Sequence, residues 1–194
     1  PWQFLAACEE YYACVINCSR HYTGLPIAVD ATCSGLQILA GLARDASTAK
    51  LVNVLPSDKP QDAYKVIAEA SKPNIPKCLH DVWDRKCTKR TVMTVPYNAK
   101  PFSNRGYIRE ALAEKHVEVH KDVLTQVVSA VRQAMDEVVP GPMAVMKWIE
   151  STVAELIKEG ATQITWTTPS GFTVTQRLMK PDVEKLRLKL LGTV

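Results

Sequence analysis

No stretch of this 194-residue chain stays apolar long enough to cross a bilayer. Runs such as Leu25 to Val29, or Met143 to Ile149 with Lys147 inside it, fall far short of a span. Glycine is scarce, at 8 residues with no triplet period, and there is neither an internal repeat nor a low-complexity linker, so collagen-like and repeat architectures are excluded. With 46% hydrophobic and 23% charged residues, the composition also excludes an intrinsically disordered chain. Neither sign of charge dominates: 24 basic against 20 acidic residues leave +4, which permits a polyanionic partner without demanding one. No signal sequence is present, so the six cysteines (Cys8, Cys14, Cys18, Cys33, Cys78, Cys87) are expected as free thiols rather than a disulfide framework. There is no initiator methionine and no polar tail, and the chain is expected to be a fragment cut at both ends.

What is present is mostly helical patterning. Phe4, Cys8, Tyr11 and Val15 share one face of a helix over 3–18. Leu25 to Val29 reads as a buried strand that delivers Asp30 at its tip. Small residues (Thr32, Ser34, Gly35) then turn into a helix carrying Leu36, Leu39, Leu42 and Ala43. Pro60 is expected at the first position of a helix over 61–71, which Lys72-Pro73 and Ile75-Pro76 end. Further helices are expected over 77–97, 103–114, 116–138 and 142–159, with Pro140-Gly141-Pro142 as a turn. A strand pair, 164–168 and 172–176, closes about Pro169-Ser170-Gly171. The fold class is therefore α+β, predominantly α-helical.

Two constellations could carry chemistry. Asp30 ends a strand and is followed by small residues that leave its carboxylate and nearby carbonyls open to a hard cation; a helix cap is the plainer reading. Arg85, Lys89, Met93 and Tyr97 recur every fourth residue and lie within an arc of about 120° on a helix. Two cations, a flexible apolar residue and an aromatic hydroxyl would follow a nucleotide from triphosphate to sugar and base, although a solvated charge cluster ahead of a core-facing end is the alternative. Cys14, Cys18 and His21 have metal-ligand spacing but read as thiols beside a loop. His116 and His120 lack a third ligand and read as an exposed helix face. His80-Asp81 continues into Val82-Trp83 on a helical pattern, and Cys33 has no histidine partner in sequence and reads as packed.

PIAVDATCSGLQILAGLARD resembles motif A, and RKCTKRTVMTVPYNAKPFSNR motif B, of the single-subunit, bacteriophage-type DNA-directed RNA polymerases. NVLPSDKPQDAYKVIA and WTTPSGFTVTQ resemble the same family in the same order, so the similarity covers almost the whole chain. The resemblance implies the palm-to-fingers segment of a right-hand polymerase, with palm over 1–46 and fingers over 47–194. By position, Asp30 and the Ala31 carbonyl would hold magnesium, two ions in the complete enzyme, and Arg85 and Lys89 the triphosphate. Tyr97 would sense the ribose, with Gly35 leaving room for its 2′-hydroxyl; Met93 would lie near the nascent base pair, and Tyr64 and Ser34 along the nucleic acid. Ala31 and Asn98 each stand where the family usually has Gly, and asparagine tolerates left-handed geometry better than most residues. The family's second catalytic aspartate sits in a His-Asp-Ser turn, and nothing of that kind follows Gln176.

The resemblance further implies a DNA template, nascent RNA and ribonucleoside triphosphates as partners, no membrane, and a complete enzyme of one subunit. A phage-encoded enzyme in the cytoplasm of a bacterial host is expected ahead of a mitochondrial or plastid one. Two rivals stand beside this reading. A family A DNA polymerase shares the Arg-x3-Lys-x7-Tyr spacing but carries a bulky Glu where this chain has Gly35. A non-catalytic helical module would use the basic stripe for phosphate contacts alone.

Overall fold

A computed structural model describes residues 1–26, 32–178, 187–188 and 192–193. The expected strand over 25–29 lies outside the described residues from Ile27 onward, as do Asp30 and Ala31; Leu25 and Pro26 are not in a strand. The chain divides into two compact units, Pro1–Thr32 and Cys33–Val194, so that the helix following motif A falls in the second unit.

In the first unit α1 (Trp2–Tyr11) runs on into a wider π-helical turn, Tyr12–Ile16, as the pattern over 3–18 predicts. None of its described residues is buried: Phe4, Tyr11 and Val15 form an apolar stripe that is exposed. Glu10 ties the following loop back to the helix, accepting from Arg20 at 2.9 Å and from the Gly24 amide at 3.2 Å.

The second unit is a helical assembly of α2 (Ser34–Ala43), α3 (Ala46–Leu51), α4 (Ala63–Ser71), α5 (Arg85–Thr94), α6 (Pro101–Ala113), α7 (Lys121–Val138) and α8 (Pro140–Lys158). Aspartates start three of them: Asp45, Asp62 and Asp84 accept from the first-turn amides of α3, α4 and α5. Asp62 thus takes the starting role expected of Pro60, because a carboxylate satisfies amides that a proline only removes. Leu124, Val127, Val128, Val131, Ala134 and Met135 give α7 a continuous buried face. It packs on α4 and α6, while α5 lies between α4 and α6, and α2 packs on α8. Each fully buried Leu, Ile or Val of this core, such as Ile67, Leu112 or Val131, contributes about 1.5–3 kcal/mol.

Several boundaries differ from expectation for local reasons. Leu42 is exposed on α2, whose buried face is Leu36, Leu39 and Ala40. The expected helix over 77–97 is three pieces: a 3-10 turn Lys77–Leu79, then α5, then a 3-10 turn Val95–Tyr97. His80 and Asp81 lie in the turn between the first two, since Asp84 in extended conformation begins α5 afresh. Pro140-Gly141-Pro142 opens α8 instead of forming a free turn, with proline where the missing amide costs nothing. His116 takes a left-handed conformation before α7 and His120 caps that helix, so the two share no helix face.

β1 (Gln163–Thr167) and β2 (Thr173–Arg177) pair antiparallel, with Trp166 opposite Val174. β3 (Arg187–Leu188) and β4 (Gly192–Thr193) form a second short antiparallel pair.

Candidate functional site

The second unit is built to hold α5 from beneath. Trp83, just before the helix, is buried and donates its indole N–H to the Ala68 carbonyl and Ser71 Oγ, both at 3.1 Å. Asp84 caps the helix, accepting from the Lys86 amide at 2.9 Å, and pairs with Lys115 at 2.7 Å. Burial pushes the Asp84 carboxyl upward, but Lys115 and the Lys86 and Cys87 amides outweigh it and hold the carboxyl below its usual range. Cys87, Thr88, Thr91 and Val92 face the core, and Thr88 Oγ1 donates to the Tyr64 carbonyl at 2.9 Å. Arg85, Lys89 and Met93 are left on the open side of the helix.

The cations of this run are not equivalent. Arg85, Lys86 and Arg90 each have a carboxylate partner: Asp62 at 2.6 Å, Glu114, and Glu110 at 2.5 Å respectively. Lys89 has none among the described residues. Lys89 and Met93 border a cleft of about 420 Å³ between α5 and α6, together with Arg90, Tyr107 and Glu110. Arg85 also lies over the Tyr64 ring, 5.1 Å from its centroid. Tyr64 is itself only 7% exposed, with its hydroxyl facing the Cys33 thiol; burial, then that contact, raises the phenol's pKa. Burial likewise pushes the Cys33 thiol up, so it is a packed group and not an activated nucleophile.

Beyond Thr94 the helix tightens. Pro96 cannot continue the α-helical hydrogen bonding, so Val95–Tyr97 form a 3-10 turn, and Asn98 ends it at φ 68°, the left-handed conformation asparagine tolerates. The turn carries Tyr97 to the start of α2. Tyr97 Oη lies 3.0 Å from Ser34 Oγ, 63 residues away in sequence. A Cβ added to Gly35 would stand 2.7 Å from Pro96 Cβ and 3.2 Å from the Tyr97 ring. A side chain at position 35 would therefore meet Pro96 and the Tyr97 ring first.

The structure thus brings Ser34, Gly35 and Tyr97 together and packs Tyr64 against Arg85, while Asp30 and Ala31 lie outside the described residues. Among the described residues no group of three or more His, Cys, Asp or Glu stands together as a metal site, Cys14, Cys18 and His21 included. All six cysteines are free. Sequence reasoning missed Asp62 and Asp45. Asp62 both caps α4 and fixes Arg85, and an Asp two residues after Pro60 was the available signal. Asp45 accepts from Ser47 Oγ, the Thr48 amide and hydroxyl, and the Gly141 amide at 3.0 Å, tying the start of α3 to the start of α8.

Comparison with known proteins bears on this geometry. A family model described as DNA-dependent RNA polymerase matches residues 1–193. DNA-directed RNA polymerase 3, chloroplastic, of Nicotiana sylvestris is 32% identical over 98% of this chain and 22% of its own length. The mitochondrial DNA-directed RNA polymerase of Homo sapiens is 32% identical over 91% of this chain and 15% of its own. T7 RNA polymerase of Escherichia phage T7 is 26% identical over 99% of this chain and 28% of its own. The chain thus spans less than a third of the length of each of these curated relatives.

Proposed function

The chain belongs to the single-subunit, phage-type DNA-dependent RNA polymerase family, and from that premise we propose that it forms the palm-to-fingers segment that receives the incoming ribonucleotide in template-directed RNA synthesis. The observation that carries the reading is the meeting of Ser34 and Gly35 with Tyr97 at the end of the helix whose open side bears Arg85, Lys89 and Met93. Lys89, without a carboxylate partner among the described residues where its neighbours are neutralised, is the cation offered to a triphosphate. Arg85 is held by Asp62 through Nε, leaving its terminal nitrogens for a second phosphate oxygen. Met93 offers a polarizable side chain to the base, and Tyr97 a hydroxyl to the ribose.

In the reaction the RNA 3′-oxygen forms a bond to the α-phosphorus, the bond from that phosphorus to the bridging oxygen breaks, and pyrophosphate leaves. Cations on the β- and γ-phosphates stabilise the charge that gathers on the leaving group. Asp30 and the Ala31 carbonyl are the groups of this chain that would hold magnesium, which lowers the charge cost at the attacking and leaving oxygens. The DNA template, nascent RNA and ribonucleoside triphosphates are the partners in this reading, and the complete enzyme acts as one subunit. Among the described residues no helix is long and apolar enough to cross a membrane. The relatives are chloroplast, mitochondrial and phage polymerases, and the identities do not single out the phage-encoded enzyme expected from sequence.

Paired substitutions in the complete polymerase test the reading. Asp30→Asn should cut extension by well over tenfold with template affinity nearly intact, because duplex affinity comes from many dispersed phosphate contacts. Lys89→Ala should raise KM for nucleotide and lower kcat together, by about 10²–10³ in kcat/KM. Ordinary kinetics in the Lys89 variant would remove α5 from the nucleotide site.

A further inference from the structure

We propose that Ser34 is a positioning residue for sugar recognition, its hydroxyl holding and orienting the Tyr97 hydroxyl that meets the ribose. The inference rests on the reading of Tyr97 given above and assigns Ser34 a task other than the nucleic-acid contact expected from sequence.

Tyr97 needs such a partner. It sits on a 3-10 turn after the α-helix has ended and is 67% exposed, so no core packing fixes its side chain. Among the described residues the ring lies against the bare Cα of Gly35, and the hydroxyl meets Ser34 Oγ at 3.0 Å. Among the described residues no other group bonds to that hydroxyl. Ser34 can anchor it because Ser34 is itself held. It opens α2 directly after Cys33, whose backbone is left-handed at φ 58°, and two residues before Leu36, which is completely buried.

The chemistry follows from the phenol's single proton. If Ser34 donates to Tyr97, the phenolic proton is available to the ribose 2′-oxygen; if Tyr97 donates to Ser34, its lone pair accepts from the 2′-hydroxyl. Either way one side of the hydroxyl is committed, and the other is presented in a fixed direction to a group that only a ribonucleotide carries. A deoxynucleotide leaves that side unmet, which is the basis of discrimination. Without Ser34 the phenol would rotate, and the cost of an absent 2′-hydroxyl would fall.

The test is the ratio of kcat/KM for ribo- over deoxynucleotide on one template, in the complete polymerase, for Ser34→Ala, Ser34→Thr, Tyr97→Phe and the Ser34→Ala/Tyr97→Phe double variant. Ser34→Ala should lower the ratio about 3- to 10-fold, the range of one net hydrogen bond. Ser34→Thr should restore the ratio, and Ser34→Ala should add nothing in the Tyr97→Phe background. A lowered ratio in Tyr97→Phe beside an unchanged one in Ser34→Ala overturns the role of Ser34 alone. An unchanged ratio in Tyr97→Phe overturns the reading of Tyr97 and this inference together.

Discussion

Gly35 shows how little freedom one position has where two distant segments meet. A methyl group there would press on Pro96 Cβ at 2.7 Å, and a pyrrolidine ring on a tight turn has no flexible end to give way. Gly35→Ala should therefore displace the turn carrying Tyr97. We expect a stability loss of about 1–3 kcal/mol, the usual range for overpacking, together with weaker discrimination against deoxynucleotides in the complete polymerase. Urea denaturation and sugar competition measured on the same preparation check this. A variant with both properties unchanged would show that the close approach of Gly35 to Pro96 and Tyr97 is dispensable. The same geometry alters what a larger residue means: a Gly35→Glu side chain would have to move Tyr97 before it could reach a ribose, so its effect on sugar choice would pass through the tyrosine.

At the scale of elements, carboxylates start the helices that frame the site, and two of them carry an acid dependence. Asp45 is desolvated, which pushes its pKa up, but the Thr48 and Ser47 hydroxyls with the Thr48 and Gly141 amides more than reverse this and hold the carboxyl well below its usual range. Asp84 is lowered for comparable reasons through Lys115 and the Lys86 and Cys87 amides. A carboxyl whose pKa is lower folded than unfolded stabilises the fold above the unfolded value, near 4. That stabilisation is lost progressively as pH falls through the lower folded value. Stability of the folded chain should accordingly drop below about pH 4, with a shallower drop in Asp45→Asn and Asp84→Asn, each already weaker at neutral pH because a neutral amide gives up the charge-assisted hydrogen bonds of the carboxylate. Urea midpoints between pH 2.5 and 7 measure this, and parallel curves for the wild type and both variants would assign the acid sensitivity elsewhere. Asp45 has a second restraint to lose, because a Cβ at Gly141 would stand 2.5 Å from its own Cβ, so only glycine lets the start of α8 approach that closely.

For the molecule as a whole, the 194 residues alone should bind nucleotide weakly and should not extend a primer, since they span at most 28% of the length of the relatives described above. Primer extension with the isolated chain, beside a longer polymerase that includes the His-Asp-Ser motif, checks this. Activity from the chain alone that Asp30→Asn removes would mean that a second carboxylate within it completes the metal site. Exposed Trp2, Phe4, Tyr22 and Phe102 also predict self-association of the isolated chain, measurable by sedimentation. Local chemistry by itself determined the family signature, the largely helical class, the hairpin about Pro169-Ser170-Gly171 and the stripe Arg85, Lys89, Met93, since periodicity and turn residues act over a few positions. Even Asn98 was legible, its φ of 68° matching what an asparagine in place of glycine tolerates. Tertiary structure alone decided that Asp62 secures Arg85, that Lys89 has no carboxylate partner among the described residues, that Tyr64 is packed beneath Arg85, and that a Cβ at Gly35 would meet Pro96 and Tyr97. Those are approaches between residues 21 to 62 positions apart in sequence, and such contacts arise from the packing of whole helices, which no local pattern encodes.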